Sequence, residues 1–101
     1  MKETIIKFEK GPRKKKYTAY VRDKKTRKVR KIHFGASDYA QYKDRTPLKL
    51  YAYKNHNTRK RMQNYFSRHS GTKNRRDAIL KEKKKSKGYY NPKIFSHIYL
   101  W

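Results

Sequence analysis

The side chains able to ligate a metal or move a proton are few: four histidines, at positions 33, 56, 69 and 97, seven acids and no cysteine. A zinc site without thiolates recruits carboxylates beside its imidazoles, and acids are too scarce here to supply them. His56 and His69 share a helix face only loosely, because thirteen residues is no clean multiple of the helical repeat. Paired carboxylates, a phosphate-cradling glycine loop and an H-E-x-x-H helix are all missing from the sequence. The residues therefore predict no catalytic group, no metal, no cofactor and no small-molecule substrate. The histidines are expected to pack or hydrogen-bond at the edges of aromatic clusters.

A second chemistry is abundant. Arg13-Lys14-Lys15-Lys16 runs into Tyr17, Arg59-Lys60-Arg61 precedes Tyr65-Phe66, and Lys83-Lys84-Lys85 precedes Tyr89-Tyr90. Each run joins phosphate-seeking charge to a ring that can pack or stack. Lys and Arg neutralise phosphates and release counterions, which gives affinity without sequence preference and with a steep salt dependence. The rings can equally form the small core, or stack on unpaired bases. Thirty-one basic residues against seven acids give a formal charge of +24, far beyond what solubility requires. An anionic partner is the better explanation: nucleic acid, lipid head groups or acidic protein. No zinc finger, RNP motif or GxxG clamp is present to read bases, so any nucleic-acid contact should be to the backbone.

The elements that must carry these groups fit one small domain of 101 residues. Low hydrophobicity with high charge ordinarily signals disorder. Here aromatics make up 15% of the chain, ten of them tyrosine, and glycine and proline are scarce, which argues for a folded chain. No apolar run approaches the roughly 20 residues of a membrane span. The opening MKETIIKFEK lacks the apolar stretch of a signal peptide.

An α+β fold is predicted. Residues 1–35 form a small antiparallel meander. Thr4–Glu9 alternates with Ile6 and Phe8 on one face and Ile5 opposite; Gly11-Pro12 breaks it. Tyr17–Arg22 places Tyr17, Ala19 and Val21 on one face, Asp23 opens a turn, and Arg27–Phe34 sets Ile32 and Phe34 together. Residues 46–87 hold two or three short helices. Thr46-Pro47 starts the first, with Leu48, Tyr51 and Ala52 as its stripe. Thr58 caps the next, with Met62, Tyr65, Phe66 and His69 at helical spacing until Ser70-Gly71. Asp77–Lys85 is the third, anchored by Ala78, Ile79 and Leu80. Residues 88–101 are an apolar tail, expected to fill a groove in this fold or in a neighbour.

Several short matches resemble one family. Ile32-His33-Phe34-Gly35, then Ser37-Asp38-Tyr39 and Tyr42-Lys43-Asp44, resembles the HFG…Y-x-x-[YH]-K-D pattern of small basic proteins encoded by large nucleocytoplasmic DNA viruses of the chlorovirus and giant-virus type. Tyr65-x-x-Arg68-His69 is similar to that family's Y-x-x-R-H, and Phe95-Ser96 with Leu100-Trp101 to its closing F-x-S…L-W. Tyr17 to Phe34 is similar to its leading strands, with a longer and more basic hairpin. The matches run from about Tyr17 onward, and a basic insertion between His69 and Phe95 departs from the pattern. The resemblance implies a virus protein packaged in the particle and supplies no activity.

The expected function is that of a virion structural protein, a minor capsid component cementing the inner side of an icosahedral shell. Its partners would be major and minor capsid proteins, with an anionic inner membrane or viral DNA as further surfaces. It would lie on the interior side of the capsid, after assembly in the cytoplasm or nucleus of the infected cell. Tyr89, Tyr90, Phe95, Leu100 and Trp101 are the expected assembly anchors, with Leu100 and Trp101 plugging a neighbour's groove. The alternative is a protein that coats and condenses packaged nucleic acid by charge.

Overall fold

Two tight turns build the sheet of this computed structural model, which describes residues 1–101. The first follows Gly11, whose backbone lies so close to the next strand that a Cβ there would stand 2.7 Å from the Lys15 carbonyl oxygen. The second is held by Asp23, whose carboxylate accepts from Lys25 N and Thr26 N, both at 2.8 Å. Those backbone donors hold the Asp23 carboxyl below its ordinary pKa. The strands are β1 (Glu3–Lys10), β2 (Lys15–Asp23) and β3 (Val29–Ala36), antiparallel in the order β1-β2-β3. Helices α1 (Arg59–Ser70), α2 (Arg75–Lys85) and α3 (Pro92–Tyr99) follow, giving an α+β fold.

Strand alternation places Tyr17, Ala19, Val21, Ile32 and Phe34 in one buried layer, as their spacing predicts. Strand β1 departs from the expected face. Its pairing with β2 slips between Ile5 and Lys7, and this bulge turns both Ile5 and Phe8 to the core while Ile6 is left outside.

Helix α3 covers that layer. Asn91 caps it, accepting from Ile94 N at 2.8 Å, and Pro92 occupies its first turn. Phe95 stacks on Phe34 with centroids 5.1 Å apart, Tyr90 stacks on Phe95 at 4.8 Å, and Leu100 is fully buried. Each large apolar side chain so buried contributes about 1.5–3 kcal/mol. The expectation of a plug for a neighbour is thereby corrected. Phe95 and Leu100 complete this chain's own core, Tyr90 packs against it, and Tyr89 alone among the proposed anchors is exposed.

The segment between sheet and α1 corrects a second expectation. Thr46-Pro47 starts no helix, and only a single 3-10 turn forms, at Ala52–Lys54. The reason is Asp44, a buried carboxylate that accepts from Tyr17 OH, from Thr46 N at 2.9 Å, from Thr46 Oγ1 at 2.6 Å and from Tyr51 N at 3.1 Å. The first two backbone donors such a helix would use are spent elsewhere, Tyr51 N on that carboxylate and Leu50 N on the Tyr17 hydroxyl at 2.8 Å, and Lys49 adopts a left-handed φ of 50°.

Thr58 does sit at the N-cap of α1, although its hydroxyl donates to the His56 carbonyl at 3.2 Å and accepts from no N–H of the helix. Gly71, with φ of 70°, ends that helix. Helix α2 begins at Arg75, two residues before Asp77, because Asn74 accepts from Asp77 N at 3.1 Å. Of its three expected anchors, Ala78 is buried, Ile79 half-buried and Leu80 exposed. Tyr65, Phe66 and Ala78 form a second, smaller apolar cluster between α1 and α2.

Candidate anion-binding groove

The helix α1 carries Arg61, Tyr65, Arg68 and His69 at intervals of four, seven and eight from the first, which is one face of an α-helix. That face, the end of the β2–β3 hairpin and the start of α3 enclose an open groove of about 640 Å³. Phe34, Tyr65, Leu100 and Trp101 supply apolar and aromatic lining. Lys15, Lys16, Arg61, Arg68, His69 and Lys93 supply its ionisable side chains, and no carboxylate lines it. Gly35 permits this closure: with φ of 77°, a Cβ there would stand 2.7 Å from Leu100 Cδ1 and 3.2 Å from Lys16 Cβ.

Within the groove the cations differ in freedom. Lys93 donates from Nζ to the His69 carbonyl at 3.2 Å and stands 3.8 Å from Glu82, which lies buried behind it. Burial lowers the His69 pKa, and the Arg68 and Lys93 charges lower it further, so the ring is neutral at physiological pH. Lys16 corrects the sequence assignment. It is 2% exposed, its Nζ donates to the Tyr39 carbonyl at 2.6 Å, and burial pushes its pKa down to about 8, helped by the Lys54 charge. It is a buried structural cation, not a surface phosphate ligand.

The structure brings Lys15, Lys16, Arg61, Leu100 and Trp101 to the groove, Lys16 as a buried member of its wall, and leaves the other assigned residues elsewhere. Arg13 and Lys14 project from the hairpin tip, and Arg59 and Lys60 from the first turn of α1. Lys83 and Lys84 border a separate cleft with Met1, Lys81 and Leu80, while Lys83, Lys84 and Lys85 complement the negative end of the α2 dipole. Arg68, His69 and Lys93 were not among the assigned residues. Helical spacing from Arg61 would have found the first two, whereas Lys93 arrives only through the docking of α3. Of the residues in the motif matches, Phe34, Gly35, Tyr39, Tyr65, Arg68, His69, Ser96, Leu100 and Trp101 line the groove, whereas Ile32, His33, Ser37, Asp38, Tyr42, Lys43, Asp44 and Phe95 lie outside it.

Behind the groove lies a buried polar chain. Ser70 Oγ donates to Glu82 Oε2 at 2.9 Å, so it must accept from His97 Nε2 at 2.7 Å. His97 Nδ1 is then left to accept from Tyr65 OH at 2.9 Å. Burial pushes His97 down to about 4, keeping it neutral, and pushes the Tyr65 phenol well above its ordinary range. Ser, His and Glu are the residue types of an acyl-transfer triad, in the wrong order. The carboxylate holds the hydroxyl and not the imidazole, and Ser70 and His97 are both buried.

The remaining histidines also make local bonds. His33 bonds Thr18, at 2.7 Å, and His56 accepts from Thr58 N at 3.0 Å. No helix is long and apolar enough to cross a membrane. No protein-family model, curated protein or solved structure matches this chain.

Proposed function

We propose that this chain is a non-enzymatic particle protein of a large DNA virus, holding the phosphate backbone of nucleic acid without reading its sequence. The observation that carries this is the groove: basic side chains from three elements meet around an aromatic floor with no carboxylate among them. Such a site is costly empty, because like charges in a concave, partly apolar wall repel one another. A row of phosphates relieves that repulsion. Only three ion pairs form in the whole molecule, Lys7–Glu9, Arg30–Glu3 and Lys93–Glu82, so most of the thirty-one basic residues await a counter-charge from outside.

The test is a salt series of binding to duplexes of unrelated sequence. The wild type should bind them alike, with log K falling linearly in log salt. The triple variant Arg61→Ala, Arg68→Ala, Lys93→Ala should flatten the slope by about 2–3. Equal affinity and slope for both proteins would remove the groove from the function.

A minor capsid role on the inner side of the shell has its own support. Tyr39, Leu48, Leu50 and Tyr53 are all exposed within one segment, and Tyr53 is 77% exposed. Large apolar side chains gathered on a surface mark an interface with protein. On this second reading the segment would meet capsid protein, and the basic surface would meet acidic shell protein or inner-membrane head groups. Retention of the protein on shells emptied of genome would favour it.

A further inference from the structure

We propose that the uncovered face of the β-sheet is a second duplex-binding surface, so that one molecule bridges two duplexes. The proposal rests on the nucleic-acid reading of the groove and adds to it a separate site with a separate consequence.

The sheet has two unlike sides. Helix α3 and the groove lie on the side of Tyr17, Ala19, Val21 and Phe34. From the opposite side project Lys7, Tyr20 and Lys31, which stand directly across from one another on the three strands. Both ammonium groups lie over the Tyr20 ring, Lys7 at 4.7 Å and Lys31 at 5.5 Å from its centroid. Tyr20 OH donates to Glu9 at 2.8 Å, and Lys7 pairs with the same carboxylate at 2.9 Å. The central ring therefore gathers two ammonium groups about itself, and that ordering reduces the entropy lost when they meet a ligand. Arg22 is on this face as well, and neither it nor Lys31 has a carboxylate partner.

Charge and length together point to a duplex. Exposed Arg13 and Lys14 rim one end of the sheet, and exposed Lys24, Lys25, Arg27 and Lys28 rim the other. A strand of nine residues such as β2 separates those rims by roughly 30 Å. One turn of a duplex advances about 34 Å, so the two basic tips reach phosphates close to one turn apart while the sheet face spans the groove between. Acidic protein has no such built-in spacing. A lipid surface would favour more apolar area than Ile6 and Val29, the exposed apolar residues here, provide.

The experiment uses the full chain and two duplexes of unrelated sequence, one immobilised on beads and one fluorescent. Wild-type protein should capture the fluorescent duplex on the beads. The variant Lys7→Ala, Arg22→Ala, Lys31→Ala should bind a single duplex within about threefold of wild type yet lose capture by about tenfold or more. A control of equal charge loss, Arg76→Ala, Lys84→Ala, Lys85→Ala, should capture as wild type does. Capture by the sheet variant at the wild-type level overturns the proposal, as does an equal loss in the control, which would make bridging a matter of bulk charge. Failure of wild type to bind any single duplex is a distinct result, and it overturns the functional reading beneath.

Discussion

The indole of Trp101 lies flat on the ring of Tyr65, with centroids 4.3 Å apart and planes within 4°. This stack joins the second residue after α3 to the middle of α1, across the same floor on which the groove cations stand. The tail is thus part of the wall of the site. Trp101→Ala should destabilise the fold by about 1–3 kcal/mol in urea titrations, and Trp101→Phe by clearly less. It should also weaken duplex binding, because Arg61 and Arg68 would lose the surface that orients their helix.

Asp44 is the bond centre of the irregular segment, and its removal leaves several buried donors unmatched. Asp44→Ala should cost about 3 kcal/mol or more, while Tyr17→Phe should cost about 1–2 kcal/mol. Denaturant midpoints of the two variants provide the check. A smaller loss for Asp44→Ala than for Tyr17→Phe would show that the carboxylate is not the organiser.

His97 makes the fold acid-sensitive. Its folded pKa is pushed down to about 4, mainly by burial, with His69, Lys93 and Arg75 adding to the fall and Glu82 opposing it. An unfolded chain takes up the proton near pH 6.5. Below that value the unfolded state binds more protons, so stability is fully present above about pH 6.5 and is lost as pH falls towards 4. The loss should be on the order of 2–3 kcal/mol. Melting temperatures at pH 7, 5.5 and 4.5 test it, and His97→Gln should flatten the decline.

Lys16 acts with the same sign in a more alkaline window. Its folded pKa of about 8 lies below its ordinary 10.5, so the unfolded chain binds the extra proton between them and stability rises with pH across that interval. Tyr17, whose phenol is pushed up to about 12, acts oppositely, but only once pH passes the ordinary tyrosine value near 10. Between pH 8 and 9.5 the wild type should therefore gain stability that Lys16→Met lacks. The same substitution should leave duplex affinity nearly unchanged, in contrast to Lys15→Ala.

Much of the fold was legible because its signals are local. Tyr17, Ala19 and Val21 alternate without interruption, and Met62, Tyr65, Phe66 and His69 repeat at helical spacing. The failures come from partners distant in sequence. Thr46-Pro47 reads as a helix start only until Asp44 bonds Tyr17, 27 positions away. Ile6 looks equivalent to Phe8 unless the bulge is known, and a bulge is set by pairing with β2. The groove was half-visible: Arg61 and the basic hairpin were found, but a four-residue run of like charge hides which member is buried. Lys16 is hidden by Tyr39, which follows it by 23 positions.

The scarcity of internal ion pairs sets two responses to ionic strength against each other. Dissolved anions gather around an isolated molecule and quiet the mutual repulsion of its lysines and arginines, firming the native state. The same anions compete with phosphate and loosen the grip on nucleic acid. A molecule stripped from its polymer by concentrated salt is therefore released into the medium that best preserves its shape, and dilution is the moment of greatest fragility.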